Sequence, residues 1–138
     1  MDTGSYALLM YNRKRSIIDV GALGRVEFAR GYYVYIGSAF GPGGVDARVR
    51  RHLRQEKKLH WHIDYLTRLA PVIQVNYRKE GVRREHEWAL ALSAQAQFSM
   101  PVPRFGSSDC NCVSHLFHAL KRPLRNYLPC PEQSVLLP

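Results

Sequence analysis

The sequence predicts a single domain of the α+β class, in which helices flank a small sheet. Short apolar and aromatic runs dominate the first forty residues, and segments with helical periodicity dominate the rest. A length of 138 residues fits one domain. We assign residues 1–128 to this domain and expect residues 129–138, which are flanked by prolines, to be a loosely held tail.

Five segments have the composition of strands. Residues 6–11 and 31–37 are continuous apolar and aromatic runs, which is typical of buried strands. Residues 17–20 and 26–29 are shorter and are separated by glycines. Residues 72–77 alternate and are rich in β-branched side chains, so they predict a later strand.

Three segments predict helices. Apolar residues recur every fourth position from 45 to 55, and basic residues fill the remaining faces. His62–Leu69 predicts a shorter helix that ends before a proline, and residues 85–98, rich in Ala and Leu, predict the longest one. Residues 114–120 fit either a strand or a helix.

The charge balance points to an acidic partner. The chain carries 20 Lys and Arg against 11 Asp and Glu, a net charge of +9, and nucleic acid is a common partner for such a domain. No apolar run approaches the roughly 18 residues of a membrane helix, so no membrane partner is expected. The N-terminus lacks the pattern of a secretion signal, and we expect a cytoplasmic protein. The sequence identifies no protein partner.

Several potentially catalytic residues occur at spacings that suit phosphodiester hydrolysis. Arg48 and His52 are four residues apart on the basic helix and share one face. A carboxylate can hold a divalent cation on a scissile phosphate, and an arginine can neutralise charge that develops on its oxygens. A tyrosine near both the arginine and the cation could have its pKa lowered from about 10 and act as a base towards water.

These residues form part of a longer pattern, which includes GSY at residues 4–6, YIGS at 35–38 and a helix that bears Glu87. The pattern resembles that of the GIY-YIG nuclease superfamily. Further runs, GYYVYIGSA at 31–39, RVRRHL at 48–53, HWHIDYL at 60–66 and GSSDCNC at 106–112, are similar to its Uri-type branch of small stand-alone proteins. The similarity covers residues 6–117 and implies a small, mainly antiparallel sheet flanked by helices.

The resemblance also implies roles for individual residues. Tyr6 and Tyr35 would be paired active-site tyrosines, one of which acts as a base or positions water. Arg48 would hold the phosphate, and His52 would donate a proton or contact the phosphate. Gly37 would be a position where a side chain crowds the tyrosines.

The resemblance makes Glu87 the metal ligand, with Mg²⁺ or Mn²⁺ as the expected ion. Glu85 is its rival, since the two side chains project about 200° apart on a helix and only one can face the site. We favour Glu87, which the sequence Trp-Ala-Leu follows as in relatives.

The basic helix and its extension suit a phosphate backbone. Basic side chains are concentrated there, beside the expected catalytic residues. We expect nucleic acid as the partner and favour DNA over RNA. The candidate nucleic-acid ligands are Arg50, Arg51, Arg54, Lys57 and Lys58.

A second cluster offers ligands for another metal. A Cys-x-Cys pair with a nearby histidine can bind Zn²⁺, but structural zinc sites usually have a clear set of four ligands, and two reduced thiols are the favoured reading. The candidate residues of this second site are His62, Asp109, Cys110, Cys112 and His115.

The expected function is therefore a metal-dependent endonuclease. Two alternatives stay open: a nucleic-acid-binding module of the same fold that does not cleave, and a zinc-stabilised adaptor.

Overall fold

The computed structural model describes residues 2–105, 114–124 and 126–128, together with the backbone of 133–136. It has the predicted α+β architecture. The strands are β1 (Gly4–Asn12), β2 (Ser16–Asp19), β3 (Arg25–Phe28), β4 (Gly31–Ala39), β5 (Val72–Lys79), β6 (Leu116–Ala119) and β7 (Gln133–Leu136). The helices are α1 (Gly44–Leu53), α2 (His62–Leu69) and α3 (Glu85–Ser93), and Gly21–Leu23 form a short 3₁₀ turn.

The central sheet has the order β6-β4-β1-β5-β7, and every neighbouring pair is antiparallel. β2 and β3 form a separate hairpin. β1 is the middle strand and is buried along almost its whole length, which explains its continuous apolar sequence. The fold prediction is therefore confirmed, including the antiparallel sheet.

The alternation of side chains along β1 divides the core into two layers. Tyr6, Leu8 and Met10 point to the face that α1 and α2 cover. Ala7 and Leu9 point to the opposite face, where α3 packs through buried apolar side chains. Tyr6 and Tyr35 therefore both lie on the α1–α2 face of the sheet.

Two predicted boundaries were wrong. α3 ends at Ser93 rather than at residue 98, because the chain turns there and brings Phe98 into the core against Phe117. Part of the expected loose tail, Gln133–Leu136, pairs with β5, whose outer edge offers unpaired backbone groups. The ambiguous segment near residue 116 forms strand β6.

Among the described residues, no helix combines the length and apolar character that a membrane span requires.

Candidate active site

Tyr6 on β1 and Tyr35 on β4 lie on the same face of the sheet and are both buried. Tyr6 pairs with Gly37 across the strands. A Cβ atom at position 37 would lie 2.5 Å from the Tyr6 hydroxyl, so only glycine leaves room for this phenol. The prediction that a side chain at Gly37 would crowd the tyrosines is confirmed.

His52 on α1 contacts Tyr6 directly. Its Nε2 lies 2.7 Å from the Tyr6 hydroxyl, and its ring is 6.2 Å from that of Tyr35. Burial, assisted by the positive charge of Lys57, lowers the pKa of His52 to about 3. The imidazole is therefore neutral near pH 7, and the Tyr6 hydroxyl donates its hydrogen bond to Nε2. That assignment leaves a proton on Nδ1, which has no hydrogen-bond partner among the described residues.

The tyrosines are protonated in the protein alone. Burial raises the pKa of Tyr6 well above its usual value, and the neighbouring Tyr35 adds to this effect, while Arg48 opposes it. Burial and the charge of Glu85 likewise raise the pKa of Tyr35. Desolvation outweighs the nearby Arg48 guanidinium, so the expected lowering of a tyrosine pKa would need the charge of a metal ion as well, and it stays a prediction.

Arg48 lies one helical turn before His52 and is held in place on two sides. Its Nη1 donates to the Ser38 carbonyl oxygen at 3.2 Å, next to Gly37. Its guanidinium lies over the Trp61 ring, 4.5 Å from the centroid. Trp61 is thus only partly a core residue, because its ring also supports the arginine.

The structure directs Glu85, and not Glu87, towards this site. The side chain of Glu85 is 14% exposed, and its Oε1 accepts a hydrogen bond from Ser38 Oγ at 3.0 Å. Glu87 is 56% exposed and pairs with Arg84. The position of the two side chains therefore favours Glu85, and the role of Glu87 as metal ligand stays a prediction. The Arg84 amide donates to Ser5 Oγ at the start of α3, which fixes the rotation of the helix.

Two histidines accompany Glu85. His115 Nδ1 and His86 Nε2 each lie 3.9 Å from a carboxylate oxygen of Glu85. The ligating atoms of the three residues all lie within 4.8 Å of one another, and no other such group of three occurs in the described part of the chain. Imidazole nitrogens and a carboxylate oxygen are typical ligands of divalent transition-metal ions, so these three residues could hold such an ion. Burial lowers the pKa of His115, which keeps its ring neutral near pH 7.

Sequence reasoning missed His86 altogether and assigned His115 to another cluster. His86 follows Glu85 directly, whereas His115 precedes β6 and reaches the site only through the fold. Of the predicted second site, Asp109, Cys110 and Cys112 lie outside the described residues. His62 begins α2 and packs its ring 5.6 Å from Phe105, and it is not a member of the group of three potential metal ligands found among the described residues.

The predicted phosphate-binding residues divide into two sets. Arg51 forms a two-pronged ion pair with the buried Asp64, and Lys57 donates to the His52 carbonyl and to Thr67 Oγ1. These two side chains hold α1 against α2. A second set is exposed, and its members are Arg50, Arg54 and Lys58.

A small cleft of about 230 Å³ lies where α1 meets the loop before it. Arg48, Arg51 and Arg54 line it together with Gly41 and Pro42. The cleft therefore adjoins the candidate site and carries positive charge.

No curated protein and no solved structure matches this chain significantly. One protein family, described as "Domain of unknown function DUF123", matches residues 5–132, nearly the whole sequence. The chain therefore belongs to this family.

Proposed function

We propose that the protein is a metal-dependent endonuclease of the GIY-YIG type, which hydrolyses phosphodiester bonds in nucleic acid, with DNA favoured over RNA. The observation that carries the proposal is the convergence of Tyr6, His52, Arg48 and Glu85 around Gly37. These side chains lie at one end of the sheet, which supports the proposal because a nuclease needs a proton acceptor, a phosphate clamp and a cation ligand close together. A purely structural cluster has no need of this combination.

The Tyr6–His52 pair supplies a route for a proton. The neutral imidazole already accepts the Tyr6 hydrogen bond, so Tyr6 can pass its proton to His52 as it takes one from an attacking water. A phosphate entering beside the imidazole favours the protonated form of His52, which opposes the effect of burial. The low pKa of His52 therefore fits a side chain that accepts a proton only when a phosphate lies beside it.

Arg48 and a cation held by Glu85 would neutralise the negative charge of the phosphate and the leaving oxygen. Arg48 is already oriented by Ser38 and Trp61, so its fork can bind the nonbridging oxygens without losing much side-chain freedom. A divalent cation, Mg²⁺ or Mn²⁺, bound at Glu85 would polarise the phosphoryl group and stabilise the leaving oxygen.

Cleavage assays test the proposal. Labelled single-stranded, duplex and branched DNA and RNA are incubated with the full chain and Mg²⁺ or Mn²⁺. We expect cleavage that EDTA stops and that Glu85→Gln abolishes, while Glu87→Gln, with the same change of charge two residues away, retains it. Parallel purification of both variants controls for contaminating nucleases.

The outcome that contradicts the proposal is intact substrate in every reaction, or equal cleavage by the wild type and Glu85→Gln. Salt-sensitive binding without cleavage would support the alternative of a nucleic-acid-binding module, which the exposed Arg50 on α1 and Arg54 just after it favour.

A further inference from the structure

The group formed by Glu85, His86 and His115 has the dimensions of a metal site. Metal–ligand bonds of roughly 2.1 Å place neighbouring ligand atoms about 3–4 Å apart. His86 Nε2 lies 3.9 Å from one Glu85 oxygen and His115 Nδ1 lies 3.9 Å from the other. The ligand atoms of the three residues all lie within 4.8 Å of one another, so side-chain rotations would bring them into contact with one ion.

Two of the three ligands are held by their surroundings. Glu85 accepts the Ser38 hydroxyl hydrogen bond, which orients the carboxylate. His115 is 4% exposed, and its backbone is fixed because its amide donates to Phe105 and its carbonyl accepts from Ile36. Hydrogen bonds that orient the metal-binding residues in this way are typical of metal centres.

The third side of the group is open. His86 is 59% exposed, so coordination positions remain for water or a phosphate oxygen. Arg83, which is 60% exposed, stacks on Phe40 and places its Nη1 3.9 Å from Glu85. Its guanidinium therefore places a positive charge beside the carboxylate, where it would compete with a bound cation.

We infer that Glu85, His86 and His115 form a two-histidine, one-carboxylate site that binds first-row transition-metal ions in preference to Mg²⁺. Imidazole ligands favour Co²⁺ and Zn²⁺, whereas Mg²⁺ prefers oxygen ligands and keeps its waters. Only the placement of this ion on a scissile phosphate rests on the proposed function. The site itself is independent of cleavage.

Titration of the metal-free full chain with Co²⁺, followed by visible absorption, tests the inference. We expect one ion per chain, and displacement by Zn²⁺ but not by a hundredfold excess of Mg²⁺. His86→Ala should weaken Co²⁺ binding at least tenfold, and because this side chain is exposed the variant should fold normally. His115→Ala should weaken it further, while Glu87→Gln should leave it unchanged. Arg83→Gln should strengthen it.

The spectrum identifies the ligands. Nitrogen and oxygen ligands give weak visible bands, whereas thiolate ligands add a strong near-ultraviolet charge-transfer band. Such a band would overturn the inference in favour of a cysteine site, and unchanged binding in His86→Ala would overturn it whatever the ligands are. Effective competition by Mg²⁺ would also overturn the claimed preference.

The metal-site inference and the proposed nuclease activity can be refuted independently. A Co²⁺ site that depends on His86, in a protein that cleaves nothing, would refute the proposed nuclease and leave the metal site standing. Cleavage with Mg²⁺ in a protein that lacks this Co²⁺ site would refute the metal inference alone.

Discussion

At the scale of residues, the buried Tyr6–His52 pair is the most specific chemical feature of the molecule. Two polar groups that are each about 1% exposed satisfy one another at 2.7 Å. Burial keeps the tyrosine protonated and the histidine neutral, so neither group carries charge before substrate binds.

Tyr6→Phe tests the role of this hydroxyl. We expect cleavage to fall at least about a hundredfold, because the loss of a positioned base has effects of this order. Stability should fall by about 1–2 kcal/mol, since His52 Nε2 is left without its donor. Single-turnover cleavage and urea unfolding measure the two effects. Cleavage at the wild-type rate would remove Tyr6 from the mechanism.

His52 should also make stability depend on pH. Its folded pKa of about 3 lies below the unfolded value near 6.5, so the unfolded chain binds an extra proton between these values. Stability should therefore rise with pH from about 3 to 6.5 and then level off as far as this group is concerned.

His52→Gln, which keeps an acceptor for Tyr6 but cannot titrate, should lessen that rise by up to about 1.4 kcal/mol per pH unit. Urea unfolding at several pH values between 4 and 7 measures it. Identical slopes for the variant and the wild type would show that His52 is charged or accessible in the folded protein.

The sequence pattern singled out Tyr6, Tyr35, Arg48 and His52, which the fold brings together. It favoured Glu87, whereas the fold directs Glu85 towards this group. Arg48 and His52 could be placed because a four-residue spacing fixes a common face wherever the helix begins. The choice between Glu85 and Glu87 depends on the rotation of α3, which contacts between Arg84 and Ser5 set across 79 positions. No local pattern encodes such a contact.

At the scale of elements, the position of α1 depends on an ion pair with α2. The Asp64 carboxylate accepts two bonds from Arg51 and further bonds from the His60 and Trp61 amides at the start of α2. Burial alone would raise the pKa of Asp64, but these bonds lower it below its usual value. Because Arg51 also stacks on Trp61, this pair supports the platform beneath Arg48.

Asp64→Asn should therefore impair both stability and function. We expect a loss of about 3 kcal/mol, the order of effect when one partner of a buried ion pair is removed, and reduced cleavage from a displaced Arg48. Glu27→Gln is the matched control, since it breaks the exposed pair between Glu27 and Arg15 and should change little. Equal effects of the two substitutions on the melting temperature would contradict this role for Asp64.

Elements defined by their own residues were predictable. The periodicity of α1, the bounds of α2 and the apolar runs of β1 and β4 all agree with the structure. The end of α3 and strand β7 were missed because distant partners determine them: Phe98 is drawn into the core beside Phe117, and β7 depends on the free edge of β5.

At the scale of the whole molecule, the net charge is +9, and its basic side chains are of two kinds: some pair with other residues of the fold and others are exposed to solvent. Arg51 and Lys57 hold helices together, so they are poor candidates for phosphate contacts. Arg50, Arg54 and Lys58 are exposed on or after the helix that carries Arg48. Nucleic-acid affinity should therefore depend on this part of the surface rather than on charge as such.

The salt dependence of binding distinguishes these cases. Neutralisation of Arg50, Arg54 and Lys58 by glutamine should weaken binding and reduce the slope of log affinity against log salt by about 2–3, since each lost phosphate contact contributes roughly 0.7–0.9. The control replaces Arg13, Lys14 and Lys121, which are exposed near the end of the sheet remote from Tyr6. Both triple variants have the same net charge. Fluorescence anisotropy in EDTA, without cleavage, measures the slopes. If the two variants bind alike, the attraction is a property of total charge, and the α1 surface does not bind the phosphate backbone. If the slope of log affinity against log salt falls only in the α1 variant, the phosphate backbone lies along α1, the helix that carries Arg48.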